Sequence, residues 1–246
     1  MWAHLRPHLC YTRRVSLNAR AIEDFRFPYE TVVTPERFGD QTLQVERLKS
    51  LDETIDALFA ELQRSGSEDW LDRLCPYFGQ VWPSGRALTE VLLEMNAKQP
   101  LKGARILEVG CGLALPALMA CKLGATVLAT DFHPEVPRFL ERNKALNGVG
   151  PELQFLSQDW QKEDRKLGEF DWVIGSDILY ERQHPEWVAK AIARQLSPQT
   201  RILIADPARP YLQGFADAMA KESGLAYENW VHRLSEKDVF ILKYGH

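Results

Sequence analysis

The sequence predicts an α/β fold, a doubly wound and mostly parallel sheet with helices on both faces and an antiparallel hairpin closing one edge. Three observations predict it. From Ala104 onward, short apolar runs of strand character alternate with stretches whose apolar residues recur at helical spacing. The first strand-to-helix junction is interrupted by the turn Gly110-Cys111-Gly112. Near the C-terminus, "LAYENWVHRL" and "KDVFILKY" are joined by a short polar turn and read as two adjacent strands.

Taken in order, residues 1–45 show no sustained period and contain breakers at Pro28, Pro35 and Gly39. "LKSLDETIDALFAELQ" puts Leu48, Leu51, Ile55, Leu58, Phe59 and Leu62 on one helix face, and Gly66 ends it. Short helices are expected at 67–75 and 84–96. Residues 1–100 therefore read as an N-terminal arm and helical cap, and residues 101–246 as the sheet domain. The strands of that domain are "ARILEV", "TVLAT", "LQFLS", "DWVIGS" and "RILIAD", with helices at about 113–123, 134–147, 185–196 and 211–223. Such alternation makes βαβ units and a Rossmann-like sheet, seven-stranded once the hairpin is added.

Composition excludes several functions. A net charge of −4 on 246 residues lacks the basic excess of a constitutive nucleic-acid binder. No apolar run approaches the roughly 18 residues of a membrane span. Cys10, Cys75, Cys111 and Cys121 have no disulfide-like or CxxC spacing, which points to a reducing, cytoplasmic setting. The start of the chain, with Arg6, Arg13, Arg14 and Arg20 before the first acid at Glu23, leaves organellar import as the alternative. His4 and His8 have no acidic or cysteine companion, so no metal site is expected. Cys111 has no partnered base to make it a nucleophile. Neither GxxxxGK[ST] nor GxSxG occurs.

The opening turn asks for a ligand. Glycine permits positive φ and lets a ligand approach bare backbone. The helix that follows offers unpaired N–H groups and its positive dipole end, and Pro116 is tolerated in its first turn. Asp131 closes the next strand about 20 residues on, where a carboxylate can accept hydrogen bonds from ribose hydroxyls. Leu115 stands where the dinucleotide fingerprint has its third glycine, which counts against NAD or FAD.

"LEVGCGLALPALMACKLGATVLATD" resembles the first two motifs of the class I, seven-β-strand S-adenosylmethionine-dependent methyltransferases. The resemblance implies S-adenosyl-L-methionine as cofactor, with Glu108, Gly110 and Gly112 cradling its amino-acid end and Asp131 holding its ribose. A further glycine is common in that family where Ala114 stands. "GQVWPSGRAL" is similar to a Trp-Pro-Ser segment of the lysine-methyltransferase-like and nicotinamide N-methyltransferase-like branch, which brings Trp82 to the cofactor. "SQDW" looks like that branch's adenine-contacting segment, through Asp159 and Trp160. "GSDILYE" matches its Asp-x-x-Tyr signature, which implies Asp177 and Tyr180 as catalytic residues and Ser176 beside the cofactor. "ADPARP" is also similar to this branch. The resemblance covers about residues 78–244.

It implies an N-methyltransferase acting on a protein lysine. Two alternatives stand beside it: a small-molecule amine or heterocycle as acceptor, and a non-catalytic cofactor-binding module. Neither nucleic acid nor membrane is expected as a partner, and no metal is required. The helices before the first strand are expected to fold over the strand ends and wall the crevice.

Overall fold

The computed structural model describes residues 25–162, 165–235 and 237–245. The arginine-rich start, with His4, His8 and Cys10, lies outside them. A parallel run of five strands forms the centre: β3 (Arg105–Val109), β4 (Thr126–Asp131), β5 (Leu153–Ser157), β6 (Trp172–Ser176) and β7 (Arg201–Asp206). The predicted hairpin, β8 (Tyr227–Arg233) and β9 (Asp238–Tyr244), adds through β9 antiparallel to β7. Strand order is β5-β4-β3-β6-β7-β9-β8. The chain leaves β3 towards one edge and returns at β6 to build the other. The carboxyl ends of β3 and β6 therefore flank the switch point, where open α/β sheets bind ligands.

Alternation along the strands divides the core into two layers. Ile106, Ile174, Leu203 and Ile241 face helices α3 (Pro83–Lys98), α4 (Leu115–Lys122) and α5 (Val136–Asn147). Leu107, Val173, Ile202, Ile204 and Leu242 face α6 (His184–Ala193) and α7 (Leu212–Ser223). The predicted helix at 84–96 is thus α3, and its Ala87, Leu88, Val91 and Leu92 are buried in the sheet's own core. No separate core begins or ends at residue 100.

The N-terminal part departs further from expectation. Residues 31–48 form an antiparallel hairpin, β1 (Thr31–Phe38) and β2 (Gln41–Leu48), turning at Gly39 with φ 58°. In β2 Leu43 and Val45 are buried at alternate positions; in β1 the inward positions are Thr34, Glu36 and Phe38, mostly polar, so no apolar period shows. Two asparagines one helical turn apart on α5 complete the edge of β2. Asn143 accepts from Glu46 N–H (2.7 Å) and donates to its carbonyl (3.3 Å). Asn147 does the same for Gln44, at 2.9 and 2.8 Å.

The helix expected at 48–64 is α1 (Leu51–Ser65), capped by the Ser50 hydroxyl accepting from Glu53 N–H and ended by Gly66 in the left-handed region. After a 3-10 turn comes α2 (Leu71–Leu74). Leu58, Leu62 and Leu74 pack with Phe25, Phe27 and Trp70 as a small core of their own. Residues 73–82 then run across the carboxyl ends of the central strands. Arg73 pairs with Asp159, the Leu74 carbonyl meets His133, and Tyr77 meets Tyr180.

Candidate active site

The turn after β3 is held from below. Glu108, 1% exposed, accepts from Ala117 N–H at 3.1 Å through Oε2, joining the end of β3 to the first turn of α4. Burial pushes its carboxyl up to about 8; the Ala117 bond opposes this and the Asp131 charge adds to it. Glu108 therefore supports the turn rather than lying open in the crevice. Gly110 and Gly112 have φ of 67° and 50°, and a Cβ on Gly110 would meet Ile178 at 2.6 Å and the Trp160 ring at 3.0 Å. Burial drives the Cys111 thiol well above its ordinary range, so it stays neutral and is no nucleophile.

Asp131 stands beside this turn at the end of β4. Its Oδ2 accepts from Gly112 N–H and its Oδ1 from His133 N–H, both at 3.0 Å, leaving each oxygen a further lone pair. Burial raises its carboxyl despite these bonds. His133 is neutral, burial lowering it to about 4. Its Nδ1 accepts from Glu135 N–H and its Nε2 meets the Leu74 carbonyl at 3.2 Å, so the ring is structural and offers no base.

The segment after β5 is arranged differently from the sequence expectation. Asp159 is an ion-pair hub, with Arg73 at 3.2 Å and Lys162 at 3.6 Å, while its Oδ1 accepts from Gln161 N–H. Trp160 lies against Gly110 and edge-on to His184, packed among the residues of the β6 layer, with its Nε1 buried and unpartnered. The residue the sequence did not single out is Gln158. It is 3% exposed, its N–H donates to the Asp131 carbonyl, and its Oε1 is buried without a partner. Only its place after a strand end signalled it.

The opposite side of the switch point carries Ser176, Asp177 and Tyr180. Ser176 Oγ packs near Gly85 at the start of α3. Asp177 adopts φ 58°, accepts from Ser84 N–H at 3.0 Å and pairs with Arg209 at 2.7 Å. Tyr180 is 37% exposed, its ring against Tyr77 (5.9 Å) and His184 (4.4 Å). Trp82 caps α3 and donates from Nε1 to the Tyr77 carbonyl at 2.8 Å, so it braces the Tyr77 wall. Burial lowers His184 to about 4 and its Nδ1 meets the Ile178 carbonyl, which makes it the neutral platform under Tyr180. The non-glycine residues with positive φ among those described are Ala114, Asp177 and Ala208. They follow β3, β6 and β7 respectively, at one end of the sheet, where strained backbone marks a functional rim.

A family profile described as lysine methyltransferase matches residues 69–220, more than half of the chain. The chain belongs to the lysine methyltransferase family. A Xenopus laevis electron transfer flavoprotein beta subunit lysine methyltransferase is 32% identical over 139 residues, covering 54% of this chain and 53% of that protein. A histone-arginine methyltransferase from the same organism is 32% identical over 132 residues, covering 49% and 55%. The chain thus spans about half the length of the curated relatives it matches. Among solved structures, the T. thermophilus 16S rRNA N2 G1207 methyltransferase in complex with AdoMet and guanosine superposes with a TM-score of 0.63. It is 15% identical and covers 89% of this chain and 51% of that one, a likeness of fold.

The cofactor of this methyltransferase family is S-adenosylmethionine, and the residues present fit it. The glycine turn and the positive end of α4 suit its amino-acid end. Asp131 has lone pairs for two ribose hydroxyls, and the orphaned Gln158 Oε1 suits the exocyclic amine of adenine. Among the described residues no group of acidic, histidine and cysteine side chains could hold a metal ion, and no helix is long and apolar enough to cross a membrane.

Proposed function

We propose that this protein methylates the ε-amine of a lysine in another protein, using S-adenosylmethionine as donor. The observation that carries the reading is the arrangement across the switch point: Gly110, Gly112 and Asp131 stand on one side, with Tyr180 facing them from the other. All lie within the segment that the lysine methyltransferase profile matches. The two relatives, a lysine methyltransferase of a flavoprotein subunit and a histone-arginine methyltransferase, support a protein acceptor.

Bound there, the cofactor supplies a sulfonium-activated methyl group for displacement by an amine lone pair. The chain's own residues receive the amine. A lysine side chain has an ordinary pKa of about 10.4 and must shed its proton to react. Tyr77, Trp82 and the part-exposed Tyr180 would cover an amine held between them, and desolvation favours the neutral amine. In this reading the Tyr180 hydroxyl hydrogen-bonds that amine and aims its lone pair, which is the orientation a displacement requires. We assign the protein to the cytoplasm on its chemistry, Cys111 and Cys121 being buried free thiols.

The test is transfer from methyl-labelled donor into a cell extract, followed by filtration of the protein from the low-mass fraction. Label retained in a discrete protein band supports the reading. Label confined to the filtrate assigns a small-molecule acceptor instead, and no label in either fraction refutes methyl transfer.

A further inference from the structure

Asp177 was expected to work on the acceptor, yet one of its oxygens takes a backbone bond and the other sits in an ion pair, without a hydrogen bond of its own. Oδ2 takes the Ser84 N–H at the start of α3, and Oδ1 lies 2.7 Å from Arg209 Nη2. The same guanidinium reaches the other way, Nη1 to Asp206 Oδ2 at 3.0 Å, while Arg209 N–H donates to Asp206 Oδ1 at 2.7 Å. Asp206 is fully buried and Asp177 is 8% exposed. One fork of Arg209 therefore neutralises two carboxylates that would otherwise face each other in a poorly solvated space. The planar, five-donor guanidinium suits this bridge; a lysine ammonium has the charge without the fork.

The bridge joins three segments that are distant in sequence. From α3 comes the Trp82-Pro83-Ser84 corner, from the end of β6 the Asp177–Tyr180 loop, and from the end of β7 the Ala208–Arg209 turn. Asp177 and Ala208 both hold left-handed backbone, φ 58° and 63°, which the bridge helps to fix. Tyr180 follows Asp177 in the same loop, and its ring rests on Tyr77, whose carbonyl takes the Trp82 indole N–H. The acceptor wall is thus hung from the Asp177 carboxylate.

We infer that Arg209 is a positioning residue for methyl transfer: it fixes Asp177 as an anchor, and through that anchor it sets where Tyr180 meets the acceptor amine. This rests on the methyl transfer proposed above. Arg209 acts through Asp177, which serves as a clamp.

The experiment compares Arg209→Met, Arg209→Lys, Asp177→Asn and the double variant Arg209→Met/Asp177→Asn. Turnover and acceptor KM are measured on the extract fraction that takes up label, and S-adenosylmethionine affinity by calorimetry. A displacement of about 1 Å at a reacting centre can cost on the order of 100-fold, so kcat of Arg209→Met is expected to fall by about that factor with cofactor affinity unchanged. Arg209→Lys should recover part of the loss. The double variant should be no slower than the worse single variant, because both act through one contact. The Ser84 amide resonance should move upfield in Arg209→Met as its carboxylate acceptor is released. Wild-type kcat in Arg209→Met, losses that multiply in the double variant, or an unmoved Ser84 amide would each overturn the inference. If Arg209→Met does not fold, Arg209→Lys gives the same readings, with an intermediate kcat and Ser84 shift expected and wild-type values overturning the inference. A wild-type protein that methylates nothing defeats the proposed function instead, and the Ser84 amide still decides whether Arg209 holds the clamp.

Discussion

Asp131 illustrates how one side chain serves fold and ligand together. Its two backbone bonds fix the carboxylate, and the lone pairs left over are what a ribose needs. Asp131→Ala should weaken S-adenosylmethionine and its demethylated product alike by roughly 1.5–3 kcal/mol, the scale of a hydrogen bond to a charged group. Calorimetry on folded variant protein checks this, and equal affinity would remove Asp131 from the site. Tyr180→Phe should do the opposite, lowering turnover while cofactor affinity holds, since it removes an interaction made with the acceptor. Steady-state kinetics beside calorimetry separates the two cases.

Glu108 gives a pH dependence whose sign follows from its raised pKa. With the carboxyl pushed up to about 8 in the folded protein, the native state holds a proton that the unfolded chain has released above its ordinary carboxyl pKa of about 4.3. Stability from this group therefore falls as pH rises through that window and levels off above about 8. Glu108→Gln should remove that slope in thermal melts of the ligand-free protein. A cationic cofactor bound over the turn favours the carboxylate, so binding at neutral pH should release a proton and tighten as pH rises towards about 8. Calorimetry in buffers of different ionisation enthalpy counts that proton; none released would place the cofactor's charge away from Glu108. The motif located Glu108, but its burial depends on α4 lying over it, which the local sequence does not state.

At the scale of elements, the sheet was legible and its attachments were not. Strands β6 and β7 fall on the segments that apolar patterning marks, because buried parallel strands read as continuous apolar runs. The β1–β2 hairpin was hidden because the inward positions Thr34 and Glu36 of β1 are polar and because β2 is completed by helix asparagines rather than by another strand. Likewise nothing in "ADPARP" assigns Arg209 a role, since its partner Asp177 follows another strand and sequence spacing cannot pair them. The hairpin gives a prediction of its own. Asn143→Leu leaves the buried Glu46 backbone groups unmet and should cost about 1–3 kcal/mol in denaturant unfolding. A loss below that range would mean that water or Arg142 replaces the asparagine.

For the whole molecule, the division into cap and sheet domain gives way to one continuous construction. Helix α3 lies in the sheet's core, and only the small cluster around Leu58, Leu62 and Leu74 has packing of its own. That cluster is tied across the strand ends by Arg73 to Asp159, by the Leu74 carbonyl to His133 and by Tyr77 to Tyr180. The ties lay residues 73–77 along the strand ends. They also join the cofactor half of the site to the acceptor half. The proposed transfer of a methyl group from S-adenosylmethionine to a protein lysine needs both halves. The direct measurement is tandem mass spectrometry of extract protein treated with the enzyme and methyl-deuterated donor. Heavy methyl on the ε-nitrogen of lysine, lost with Asp131→Ala at limiting donor, is the predicted result; heavy methyl on arginine, or on no protein residue while the donor binds, would contradict it.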